Sequence, residues 1–139
     1  MIILLKTALI IILMVFIANQ AGAESAMYMK INDVPVSVEW EDNETVKALT
    51  EKLPVTVKMH MYGGFEQVGE LGRSLTRNDK RITTKPGDIV LYSGNQIVVF
   101  YGSNTWAYTR LGRITGKTQS ELSDLLGKSD ALITISAAP

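Results

Sequence analysis

The chain has no cysteine and a single histidine among its 139 residues. The first absence excludes disulfides, thiolate nucleophiles, thiolate metal sites and the lipidated cysteine of a mature bacterial lipoprotein. The second leaves His60 as the only side chain on which a serine triad can be built, and it excludes a histidine-rich metal site. Charge of either sign is also missing in excess: 14 basic and 14 acidic side chains cancel, so no electropositive field attracts nucleic acid or anionic lipid. Calcium-loop and paired-carboxylate spacings are absent, and Glu39, Glu41, Asp42, Glu44, Glu51, Glu66, Glu70, Asp79 and Asp88 read as solvated surface. Gly116-Lys117-Thr118 mimics the tail of a phosphate-binding loop, but the motif's first glycine falls on Leu111. Thr118 is better explained as a helix cap. No catalytic set, metal or cofactor is expected.

What is present begins with an address. Lys6 is the only charge before Glu24, Ala8 to Ala18 is an unbroken apolar run, and Ala21-Gly22-Ala23 follows. A cationic start, a short apolar core and small residues at A-x-A spacing predict a signal peptide over residues 1–23, cut between Ala23 and Glu24. The alternative is an uncleaved inner-membrane anchor, but a spanning helix wants about 20 apolar residues and Lys6 interrupts this one. The expected location is therefore periplasmic or secreted, with no stable anchor after cleavage. A disulfide-free exported domain suits a bacterial periplasm. Residues 24–139 then form one domain of about 116 residues, with thirteen basic against fourteen acidic side chains, long enough to close one modest core.

Periodicity organises that domain into many short strands and two helices. Met27–Ile31 and Val36–Trp40 flank the turn Asn32–Pro35 as a hairpin, with Val36, Val38 and Trp40 on one face. Asp42 or Asn43 caps a helix to about Leu53, where Pro54 stops it; Val46, Leu49 and Leu53 form its apolar stripe. Val55 to Met61 alternates as one strand with Val55, Val57, Met59 and Met61 inward, which puts His60 on the surface. Tyr62 to Thr84 reads as a hairpin and then a long polar loop, the kind of segment that often carries function. Three strands follow, Asp88–Tyr92, Gln96–Tyr101 and Trp106–Ile114, split by Ser93-Gly94-Asn95 and Gly102-Ser103-Asn104. Ile97 to Phe100 is apolar at consecutive positions, so both its faces should be covered. Thr118 and Glu121 have capping-box spacing ahead of Leu122, Leu125 and Leu126, Gly127 ends that helix, and Ala131–Ser136 is the last strand. This pattern argues a small closed β-barrel with helices at its ends.

One stripe points to binding. Alternation places Trp106, Tyr108 and Arg110 on one face of their strand and Ala107, Thr109 and Leu111 on the other. Aromatic rings with polar tips beside a guanidinium suit a peptide or a polar small molecule. The same stripe also fits a face packed under a helix, with Arg110 laid over Trp106. Phe65, following Gly63-Gly64, is placed to overhang such a cleft or to act as a core lid. The expected cleft is bordered by Phe65, Gln96, Tyr101, Trp106, Tyr108 and Arg110.

In Gly87–Tyr92, Gly94–Gly102 and Tyr108–Ile114 (GDIVLY, GNQIVVFYG and YTRLGRI) the chain resembles the bacterial cyclophilin-like domain family. The resemblance runs from the Met29 strand to the last strand and implies a mainly β, closed cyclophilin-type barrel with two short helices. Prolyl isomerases of that fold carry a Phe-His-Arg strand start, a Gln-Gly-Gly-Asp segment, an Asn-Gly-Ser-Gln-Phe-Phe strand and a Trp-Leu-Asp-Gly-Lys-His loop. Only Gly94-Asn95-Gln96 with Phe100 loosely matches the third, and Trp106 lacks the histidine of the fourth. The arginine motif that stabilises the twisted prolyl bond is absent; Arg73, Arg77 or Arg110 would have to stand in for it. The expectation is an exported, non-catalytic module for a peptide or small ligand, against two alternatives, a divergent prolyl isomerase and an envelope protein-interaction or structural domain.

Overall fold

Asn32 and Asp33 both take positive φ, 49° and 65°, as a two-residue type I′ turn demands. Val34 and Pro35, expected in the turn, therefore already belong to a strand. The computed structural model describes residues 26–139, and the signal peptide with its Ala23/Glu24 cleavage point lies outside them. The strands are β1 (Tyr28–Ile31), β2 (Val34–Trp40), β3 (Val55–Lys58), β4 (His60–Tyr62), β5 (Glu66–Glu70) and β6 (Lys80–Thr83), then β7 (Asp88–Tyr92), β8 (Gln96–Phe100), β9 (Thr105–Thr115) and β10 (Leu132–Ser136). Helix α1 spans Glu44–Thr50, with the Asn43 side chain accepting from the Val46 amide at its start. Helix α2 spans Gln119–Leu126 and opens on the expected capping box between Thr118 and Glu121.

All ten strands join one sheet in the order β3-β10-β1-β2-β9-β7-β8-β5-β4, with β6 on β9. This overturns the closed barrel: β3 and β4 stand at opposite ends of the order, and no ladder joins them. The reason lies at Met59, which splits the single strand expected over Val55–Met61. Its amide donates to the Ala131 carbonyl at 2.8 Å, and the Met61 amide donates to the Asp130 carboxylate at 3.0 Å. The chain thus leaves β10 and starts pairing with β5 within a few residues. β5, next to the β4 end, packs against β3: a Cβ on Gly69 would lie 2.6 Å from the Lys58 carbonyl oxygen, the Met59 sulfur and a Val57 methyl. The sheet nevertheless stays open there, because no ladder crosses the contact.

The two faces of the central strands carry two separate clusters, divided by residue parity. Ile89, Leu91, Ile97, Val99, Tyr101 and Leu111 face the main core, together with Val46 and Leu49 of α1 and Leu122 and Leu126 of α2. Val90, Val98, Phe100 and Tyr108 face the other way and form a smaller cluster with Phe65, Val68, Ile82 and Tyr92 against it. Ile97 to Phe100 are all buried, as their consecutive apolar residues predict, because β8 is paired on both edges and covered on both faces. The long polar loop is shorter than expected, since Lys80–Thr83 pair with Thr105–Tyr108 as β6.

Candidate functional site

A cleft of about 370 Å³ opens beside the smaller cluster, and Tyr108, Val68 and Tyr92 belong to both. The β4–β5 hairpin supplies Tyr62, Glu66 and Val68 to its wall, β7 and β8 supply Tyr92 and Gln96, and the approach to β9 with β9 itself supplies Asn104, Trp106 and Tyr108. Register explains the convergence. Tyr62 pairs with Glu66, and Glu66 with Phe100, so one tyrosine, one carboxyl and the Phe100 ring of the cluster share a face. Tyr92 and Phe100 meet the Tyr108 ring edge-on at centroid distances of 6.1 and 5.7 Å. The Tyr108 hydroxyl accepts from the Asn104 amide nitrogen at 2.8 Å, and burial pushes its phenol pKa up. Trp106 is 51% exposed and Tyr62 65% exposed, so two large rings stand open at the rim.

Glu66 is the electrostatic anomaly of this cleft. It is only 6% exposed, no hydrogen bond lowers its pKa, and burial pushes it up to about 7 from the ordinary 4.5. A carboxyl in such a setting is held where its charge is costly, and a ligand can relieve that cost.

Of the residues expected around a cleft, the structure brings Gln96, Trp106 and Tyr108 together. Phe65 sits at the edge: it lies edge-on to Tyr62 at 6.3 Å, and its side chain lies so close to Gly102 that a Cβ there would meet the Phe65 Cβ at 2.8 Å. Tyr101 lies apart. It follows Phe100 by one residue, so the strand turns it into the main core, where its hydroxyl has no partner.

Arg110 also lies apart: it shares the face of Tyr108 but sits two residues farther along β9, beside a β-bulge. Ile89 faces Gly112 and Val90 faces Arg110, which leaves Leu111 as the extra residue of β9. In a regular strand residues three apart point to opposite faces, but a bulge brings them to the same one. Arg110 Nη1 and Arg113 Nε accordingly grip the two oxygens of Asp88 at 3.0 and 2.8 Å. Asp88, read from sequence as solvated, has a side chain 0% exposed and also accepts from the Lys85 amide at 2.8 Å. His60 is on the surface, with Nδ1 at 3.3 Å from Asp130.

Sequence reasoning missed Glu66, Tyr62, Tyr92, Val68 and Asn104 as cleft residues. Their shared face depends on which strands are neighbours, and alternation within one strand carries no information about that.

The family model of the cyclophilin-like family matches residues 29–136. The chain belongs to the cyclophilin-like family. A comparison with curated proteins finds no match. Among solved structures, this cyclophilin-like chain is similar to the hypothetical protein AF2241 from Archaeoglobus fulgidus, with a TM-score of 0.60, 19% identity, and coverage of 81% of this chain and 93% of that one. It is also similar to McbB, solved in complex with tryptophan, with a TM-score of 0.60 and 11% identity over 80% of this chain and 44% of that one. Both likenesses are of fold.

Proposed function

We propose that this cyclophilin-like protein is a non-catalytic binding module whose ligand, a small molecule or the side chain of a peptide, seats an apolar body in the cleft between Tyr62, Tyr92, Trp106 and Tyr108. The observation that carries the reading is the open ring pair, Tyr62 and Trp106, on a cleft also lined by Val68 and the buried Tyr108. Large exposed aromatics beside a concave, partly apolar surface are what ligand recognition uses. No arginine lines the cleft among the described residues, so no guanidinium is positioned there to stabilise a twisted prolyl amide. Arg110, the arginine of the expected stripe, is committed to Asp88.

Titration with indole and p-cresol, followed by tryptophan fluorescence and by thermal shift, tests the cleft. Trp106→Ala is expected to weaken binding about tenfold, while Arg110→Ala leaves it unchanged. Binding insensitive to Trp106→Ala overturns the reading. A proline-peptide isomerisation rate equal to that of buffer is expected from the same protein. The leader-like residues 1–23 support a module that works in the periplasm or outside the cell; N-terminal sequencing of the chain recovered from its host is expected to begin at Glu24.

A further inference from the structure

We infer that the cleft takes a small organic cation, an alkylammonium or guanidinium group on a short apolar stem, with Glu66 as its counter-ion and the rings of Tyr62, Tyr92 and Trp106 as its walls. The inference rests on the reading of this cleft as the binding site and names the chemistry of what enters it.

Three features converge. Glu66 is more than nine-tenths buried, forms part of the cleft wall, and forms no ion pair with any described residue. An unpaired buried carboxylate is expensive, and a desolvated cation is the partner that compensates it best. Around it stand aromatic faces, whose negative quadrupoles attract cations, most strongly once water is excluded. One such contact already exists within the chain: the Arg81 guanidinium of β6 lies 6.0 Å from the centre of the Trp106 ring. No cationic side chain lines the cleft itself: the side chains sharing its wall with Glu66 are phenols, amides, an indole and a valine.

Protonation sets when the counter-ion is available. The titratable groups around the carboxyl are the Tyr62, Tyr92 and Tyr108 hydroxyls of β4, β7 and β9, and burial raises the Tyr108 phenol pKa. On β8 the corresponding residues, Gln96 and Phe100, do not titrate. His60, farther along β4, is engaged by Asp130, and the Arg81 guanidinium lies 6.0 Å from the centre of the Trp106 ring. Glu66 is therefore mostly charged above about pH 7 and mostly neutral below it, so cation binding strengthens as pH rises through that value.

The deciding experiment is calorimetric titration of the folded protein with choline and with its uncharged carbon isostere, 3,3-dimethylbutan-1-ol. Near pH 8 choline is expected to bind about tenfold tighter than the isostere; near pH 6 its affinity falls about tenfold while that of the isostere holds. Glu66→Gln keeps isostere binding and abolishes the preference for charge. Butylammonium against Nα-acetyl-lysine methylamide then assigns the source, with tighter binding of the capped lysine pointing to a peptide and tighter binding of the free amine pointing to a small molecule. Equal affinities for choline and isostere, or a preference that survives Glu66→Gln, overturn the inference. If the isostere and indole still bind in a Trp106-dependent manner, only the cationic assignment falls; if nothing binds, the cleft itself falls with it.

Discussion

Single side chains in this protein are exposed to the environment of the opposite face by one step along a strand, and Glu66 shows what that does to energy. Its neighbour Gln67, turned the other way, is fully buried and saturated, donating to the Leu126 and Ser129 carbonyls at 2.7 Å and accepting from the Ala131 amide. Glu66 has none of that support. Its folded-state pKa of about 7 lies above the ordinary 4.5, so between those values the folded state holds a proton that the unfolded state has released. Stability is then lost as pH rises from about 4.5 to about 7, by at most roughly 3 kcal/mol. Glu66→Gln is expected to match the wild type in urea denaturation near pH 4 and to exceed it near pH 8. Asp88 behaves in the opposite way. Its removal leaves two guanidinium groups and the Lys85 amide without their acceptor, and Asp88→Ala is expected to cost about 3 kcal/mol in the same assay. Both residues belong to the acidic set that composition alone assigns to solvent. Burial of a carboxyl is decided by the strands on either side of it, which a single sequence does not display.

At the scale of elements, local chemistry was legible wherever it closes on itself. The capping box at Thr118, the Asn43 cap, the block from Asp88 to Phe100 and the final strand all follow from residues within a few positions of one another. Thr118→Ala is expected to lower stability by about 1 kcal/mol, measured as a shift in the urea midpoint. The elements that were misjudged are those whose hydrogen-bond partners are distant. Met59 breaks a perfectly alternating segment because Ala131 and Asp130 claim the neighbouring amides, and Lys80–Thr83 become a strand only because β9 extends far enough to pair with them. The bulge at Leu111 is the same kind of feature, invisible to alternation and yet responsible for bringing Arg113 onto the face of Arg110 and Asp88. Gly69 marks the tightest of these long-range meetings. Gly69→Ala would drive a methyl into the Lys58 backbone and Met59, with an expected loss of roughly 3 kcal/mol.

For the molecule as a whole, fold class and element order were readable, whereas closure was not. Ten short strands and two helices suggest a cylinder, but closure needs one more ladder, and the chain uses the relevant backbone groups on the loop before β10 instead. The sheet ends at β3 and β4, and edge strands open more readily than interior ones. Hydrogen exchange is therefore expected to proceed in the edge strands β3 and β4 well before β7 and β8; uniform protection across all four would contradict the unclosed boundary.

The β4–β5 hairpin carries Tyr62, Glu66 and Val68 and is tied by its ladder only to β8. One jaw of the cleft is thus hung from a single hem while the other is woven into the middle of the fabric. A guest can therefore be admitted by yielding at β4 and its Tyr62, while Gln67 and Gly69 keep β5 fastened to the end of α2 and to β3, so the protein can be supple at its mouth and rigid beneath it.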